Sequence, residues 1–173
     1  MSEELNGRRV AIISADGFEQ SELLEPKKAL ELAGAEVQII SIKAGSIKGW
    51  DKKDWGQSVD VDALIADVNP EDYDALMLPG GVLNPDKLRQ DENVVEFVTT
   101  FLKSGKPIAA ICHGPQTLIE TGLLKGRKMT SFSSIKSDLK NAGVEWVDQE
   151  VVVDQGLVTS RTPEDLPAFN KKM

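Results

Sequence analysis

The chain has one cysteine, Cys112, and one histidine, His113, among 173 residues. A single thiol excludes an intramolecular disulfide framework and any cysteine-based zinc cage, and a single imidazole excludes a histidine-rich metal site. No metal and no cofactor is expected. Basic residues are outnumbered, 20 Lys and Arg against 28 Asp and Glu, for a net charge of −8. That balance argues against a dedicated nucleic-acid binder, which needs a cationic surface for phosphates, and against a polybasic membrane anchor. No run approaches the roughly 18 apolar residues of a membrane span. The stretch from Met1 to Gly7 lacks the basic-then-apolar order of a signal peptide. With one free thiol, a reducing cytoplasm is the expected location. Hydrophobic residues at 40% can fill a core, and the length suits a single domain over 1–173.

What is present is alternation. Apolar strands are expected at Arg9 to Ser14, Glu36 to Ser41, Asp74 to Leu78, Pro107 to Ile111 and Lys128 to Phe132, with three short β runs between Val144 and Ser160. Between them lie helical stretches: Phe18 to Ala33, broken at Pro26 and stopped by Gly34; Asn84-Pro85 to Lys103, interrupted and stopped by Gly105; 113–121; and 134–141. Thr162-Pro163 opens a last helix. Residues 43–66, with Trp50 and Trp55, read as a small β-hairpin excursion. Unpatterned apolar strands alternating with helices predict an α/β fold with a mostly parallel sheet covered on both faces. Ligands bind such sheets outside the carboxyl ends of the strands. Three segments converge there: the turn after Ser14, Pro79-Gly80-Gly81, and Cys112.

Ala110-Ile111-Cys112-His113-Gly114 joins a buried strand to a helix through a tight turn. Small residues two before and two after a nucleophile are what an elbow requires, because strand and helix nearly touch. A helix start aims N–H groups at the sulfur and favours the thiolate. The His113 N–H is one candidate oxyanion donor, and the Gly80-Gly81 turn offers a second. Consecutive helical residues do not face each other, so the His113 ring must fold back to reach the sulfur. A carboxyl in the first crossover turn could project over the sheet edge and hold a proton beside the thiolate. Spacing alone leaves Asp16, Glu19 and Glu22 open. Asp86 is a further acid near Gly80-Gly81, read without other information as first-turn helix charge.

The segments Asp16-Gly17-Phe18-Glu19, Leu78-Pro79-Gly80-Gly81, Ala110 to Pro115 and Thr159 to Pro167 resemble the ThiJ/PfpI superfamily, over nearly the whole chain. They are most similar to its bacterial general-stress, PfpI-type intracellular protease branch. The resemblance implies a flavodoxin-like three-layer α/β sandwich related to class I glutamine amidotransferase domains. It implies Cys112 as an oxidisable nucleophile, Glu19 as the buried carboxyl hydrogen-bonded to it, and His113 as the following histidine. Gly81 and the His113 backbone would form the oxyanion hole. The resemblance also implies that His113 pairs with an acid from an adjacent subunit, here Asp86 in place of Glu, in a homodimer or higher homo-oligomer. The segment Val82 to Pro85 is one residue longer than that pattern, and the Lys48 to Gly56 excursion is longer than in the typical member.

Three functions compete. One is cofactor-independent conversion of reactive aldehydes such as methylglyoxal, or of their adducts, with the thiolate forming a hemithioacetal and Glu19 or His113 moving a proton. The second is a cysteine peptidase with an intersubunit Cys-His-Asp triad. The third is a redox-sensing stress chaperone with Cys112 as the switch. The expected substrate is thus a small aldehyde or a peptide, with the first reading ranked highest.

Overall fold

In the computed structural model, which describes residues 4–173, the apolar runs become strands and the periodic runs helices. In chain order these are β1 (Arg9–Ile13), β2 (Phe18–Glu19), α1 (Gln20–Leu32), β3 (Glu36–Ser41), β4 (Ser46–Asp51), β5 (Asp54–Asp60), β6 (Ala63–Leu64), β7 (Ala75–Leu78), α2 (Leu83–Leu88) and α3 (Glu92–Ser104). They continue with β8 (Ile108–Ile111), α4 (Gln116–Ile119), β9 (Lys128–Met129), α5 (Lys136–Asn141), β10 (Glu145–Trp146), β11 (Val152–Asp154), β12 (Leu157–Ser160) and α6 (Leu166–Lys172).

The main sheet has the order β11-β12-β8-β7-β1-β3-β6, parallel except for β11 against β12. The chain moves from β1 outward through β3 and β6, then returns to the other side of β1 for β7, β8 and β12. That reversal is the topological switch point, where α/β sheets open a crevice for ligand. Both faces are apolar, as continuous hydrophobic strands require. Ala11, Ile13, Leu76 and Leu78 face one core with Phe97, Phe101 and Leu118, whereas Ile12 and Met77 face another with Leu23, Leu166 and Phe169. The mostly parallel, double-covered sheet is the architecture expected.

Several local expectations change. Pro26 does not break α1, which runs through it with Leu23, Pro26 and Leu30 buried. The ring removes one N–H from the ladder, and this buried face holds the helix together across the gap. Phe18 and Glu19 are not helical but form β2, paired with β4 of the hairpin. The excursion is a hairpin, β4 against β5, with Trp50 edge-on to Trp55 at 5.5 Å. The expected helix 113–121 contracts to α4, one turn preceded by tight turns. Lys128 and Met129 leave the main sheet to pair with β10.

Candidate active site

The site forms where β1, β7 and β8 end. Cys112 follows β8 in the left-handed region, φ 63°, a conformation that costs a side-chain-bearing residue roughly 1–2 kcal/mol. The turn is held from two sides: the Cys112 N–H donates to the Ser160 carbonyl at 3.0 Å, and its carbonyl accepts from the Phe132 N–H at 2.9 Å. At Gly114 a Cβ would stand 2.5 Å from the Leu78 carbonyl oxygen and 2.9 Å from that of Ile111. No other residue fits there. Ala110 and Gly114 thus sit in the close approach that an elbow demands.

The neighbouring turn is pinned by a residue whose role the sequence hid. Asn84, where the sequence places the start of a helical stretch, is fully buried. Its Nδ2 donates to the Pro79 and Gly80 carbonyls at 3.0 and 3.1 Å, and its Oδ1 accepts from the Ala15 N–H at 2.7 Å. One amide therefore ties the turn after β7 to the turn after β1. Gly81, at φ 82°, lies against the Gly17 carbonyl and the Glu19 N–H, leaving no room for a Cβ. The backbone N–H groups of Gly81 and His113 both donate to the Cys112 sulfur. These donors, rather than a helix dipole, serve the thiol, since α4 is a single turn.

The carboxyl on the thiol is Glu22, not Glu19. Glu22 is completely buried. Its Oε1 accepts from the Gly80 N–H at 3.1 Å, and the carboxyl lies against the Cys112 side chain, each shifting the other's pKa. Its Oε2 is buried without a hydrogen-bond partner among the described residues. Burial, reinforced by the charge of Glu19, raises its pKa from 4.5 to about 8, so it keeps its proton at neutral pH. Glu19 occupies the β2 end, one helical turn away, and lines the cavity above the sulfur. Its pKa is raised less, by burial and then by Asp51. Burial first, and the Glu22 charge second, push the Cys112 thiol up, while the two backbone N–H groups pull it down. With Glu22 protonated that charge is gone, and the two backbone N–H groups remain to favour a thiolate.

His113 does reach the sulfur. Because Cys112 is left-handed rather than helical, the two side chains turn to the same side, with Nδ1 at 3.2 Å from Sγ. The ring stacks on Phe132 at 4.7 Å, and Nε2 lies 3.0 Å from the Ser134 hydroxyl. Burial lowers the His113 pKa, leaving a neutral imidazole. Asp86 is exposed on α2 and is not the partner of His113 within the chain; Ser134 is. Asp16 is turned to Lys43 and the Lys48 N–H.

A cavity of about 370 Å³ opens over the thiol, lined by Glu19, Trp50, Gly81, Leu83, Cys112 and His113. It is mostly apolar, with the Cys112 thiol, the Gly81 backbone and the Glu19 and His113 side chains among its lining. Among the described residues no cluster of three or more His, Cys, Asp and Glu side chains could hold a metal ion, and no helix is long and apolar enough to cross a membrane.

A parallel α/β sheet carrying a thiol on an elbow beside a protonated carboxyl defines a class of flavodoxin-like proteins with cysteine-centred sites. The chain belongs to the DJ-1/PfpI family, whose pattern matches residues 8–173. General stress protein 18 of Bacillus subtilis (strain 168) is 49% identical over 168 residues, spanning 96% of this chain and 95% of that one. Protein/nucleic acid deglycase 2 of Escherichia coli (strain K12) is 49% identical over 167 residues, spanning 95% of each. The crystal structure of a two-domain protein from Anabaena variabilis, with DJ-1/ThiJ/PfpI-like and ferritin-like domains, superimposes with a TM-score of 0.90 at 38% identity. That match covers 95% of this chain and 46% of the larger one.

Proposed function

We propose that the protein is a stress-response deglycase or glyoxalase, working without a cofactor through Cys112. The observation that carries the reading is the sole thiol, which lines a small apolar cavity and lies against a buried, protonated Glu22. The relatives named as a stress protein and a deglycase agree with it.

The chemistry needs only these side chains. In an amine adduct of methylglyoxal, the sulfur bonds to the hemiaminal carbon as the C–N bond breaks, and the amine leaves with the thiol proton. The resulting hemithioacetal loses its C1 proton to His113, neutral at rest, while the protonated Glu22 supplies one to C2 and is reprotonated by the imidazolium. C1 is thereby oxidised and C2 reduced, giving a lactoyl thioester with no external redox partner. Water then adds to the thioester carbonyl, whose oxyanion accepts from the Gly81 and His113 N–H groups, and expels the thiolate. Glu22, with a pKa near the working pH, suits repeated proton exchange.

The test offers methylglyoxal, a methylglyoxal-modified peptide and an unfolded peptide to wild type and Cys112→Ser. Lactate and free amine should form with wild type only, and the unfolded peptide should stay intact. Peptide cleavage without lactate would instead make the Cys112-His113 pair a peptidase. Turnover unaffected by Cys112→Ser would remove the thiol from the reaction.

We further infer that the chain works in the cytoplasm as a homo-oligomer, with the cavity mouth near a subunit interface. Val82, Leu83 and Trp55 are exposed there at 65%, 44% and 44%, an apolar rim that water does not favour. Asp86, on the same helix α2, is then available to a second subunit. Light scattering of the purified protein should give a multiple of the one-chain mass, and a strictly monomeric species would overturn the assembly.

A further inference from the structure

The geometry points to Ser134 as the positioning residue that orients His113 within its own subunit, so that the histidine needs no carboxylate. The inference rests on the reading of His113 as a proton carrier.

Three contacts fix the imidazole: Sγ of Cys112 on Nδ1, Oγ of Ser134 on Nε2, and the Phe132 ring on its face. Both nitrogens are thus taken before any second subunit approaches. His113 is buried, whereas Ser134 is exposed at the rim of the site, in the turn Ser133–Ile135 that follows Phe132. The segment is anchored to the elbow by the Phe132 N–H bond to the Cys112 carbonyl. The hydroxyl therefore moves with the thiol rather than independently of it.

The chemical type of the partner matters. A carboxylate on Nε2 accepts only, so it fixes the proton there and stabilises imidazolium. A hydroxyl donates or accepts equally well. When Ser134 donates to Nε2, Nδ1 carries its proton toward the sulfur and holds a thiolate. When Ser134 accepts from Nε2–H, Nδ1 is free to take a proton. The imidazole is neutral in both resting forms; in the second, a proton taken at Nδ1 makes it imidazolium until that proton is handed on. The other titratable groups facing the sulfur and cavity are Glu22 and Glu19, both left in place by a change at Ser134.

Because Cys112 is the only cysteine, alkylation by iodoacetamide reports its thiolate alone, whatever the substrate proves to be. Ser134→Ala should slow alkylation at neutral pH by about fivefold to tenfold and move the inflection of its pH profile upward, because one fixed donor to the thiolate is lost. Where lactate formation is measured, kcat should fall by a similar factor with KM little changed. Ser134→Thr, which keeps the hydroxyl, should restore both. An alkylation profile identical to wild type in Ser134→Ala would overturn the assignment. So would a shift produced by Asp86→Ala and not by Ser134→Ala, which would give the orienting role to the second subunit. Loss of aldehyde turnover in wild type itself would reject the proposed function and leave the alkylation result to decide this one. Ser134 is exposed, so neither variant disturbs the core.

Discussion

Glu22→Gln is expected to flatten the dependence of stability on pH and to lower kcat by on the order of 100-fold. The sign follows from the raised pKa. The native carboxyl titrates near 8 and the unfolded one near 4.5. Between those values the native state holds a proton that the unfolded state has released, so stability falls as pH rises. If Glu22 acted alone, the full shift would correspond to roughly 5 kcal/mol. Wild type should therefore melt at progressively lower temperature from about pH 5 to pH 9. Glutamine keeps the shape but has no proton to lose. At pH 9 the variant should melt above wild type, and at pH 5 it should not. Thermal melts across that range check the prediction, and parallel curves would mean that Glu22 is ionised in the native protein. The rate loss separates two roles. Glutamine can still donate to the sulfur but cannot exchange a proton, so alkylation of Cys112 should survive better than turnover.

Glu22 is hard to single out from spacing. Asp16, Glu19 and Glu22 all follow β1, and only the start of α1 decides which one faces inward. The helix begins at Gln20, which places Glu22 on the buried face with Leu23, Pro26 and Leu30. An acid on an apolar helical stripe is a readable signal, since such stripes face the core. Spacing alone leaves all three open, and the resemblance points to Glu19, one helical turn before the residue that the helix turns inward. The elbow was legible because its evidence is local: four apolar residues, then small residues two positions either side of Cys112. The carboxyl edge of the sheet followed from the alternation of apolar strands and helices, whereas the strand order that makes it a switch point is visible only in the fold. Ser134 was not legible, because it lies 21 residues from His113 and meets it only through the path of the chain after β9. The role of Asn84 was not legible either, because its bond to the Ala15 N–H spans 69 residues.

A second large effect is expected at Cys112 itself, and a pair of substitutions separates its chemistry from its backbone. Cys112→Ala and Cys112→Gly should each reduce turnover by about 10⁴-fold or more, to what the N–H donors and the cavity achieve without a nucleophile. Their stabilities should differ in the direction opposite to ordinary positions. Glycine normally destabilises relative to alanine, by about 0.5–1 kcal/mol, because it loses more freedom on folding. At φ 63° alanine retains the clash between Cβ and the following carbonyl, and glycine does not. The glycine variant should therefore be the more stable of the two by about 1 kcal/mol, measured by denaturant midpoint at unchanged slope. Both variants leave a similar void above Glu22, so packing losses largely cancel in the comparison. Alanine proving the more stable would mean that the elbow relaxes when the sulfur is gone, and that the strained conformation is imposed by the thiol's own contacts rather than by the Ser160 and Phe132 backbone bonds. If glycine is the more stable, the scaffold holds the left-handed turn on its own, and the protein gives up about 1 kcal/mol of stability to present a thiol there.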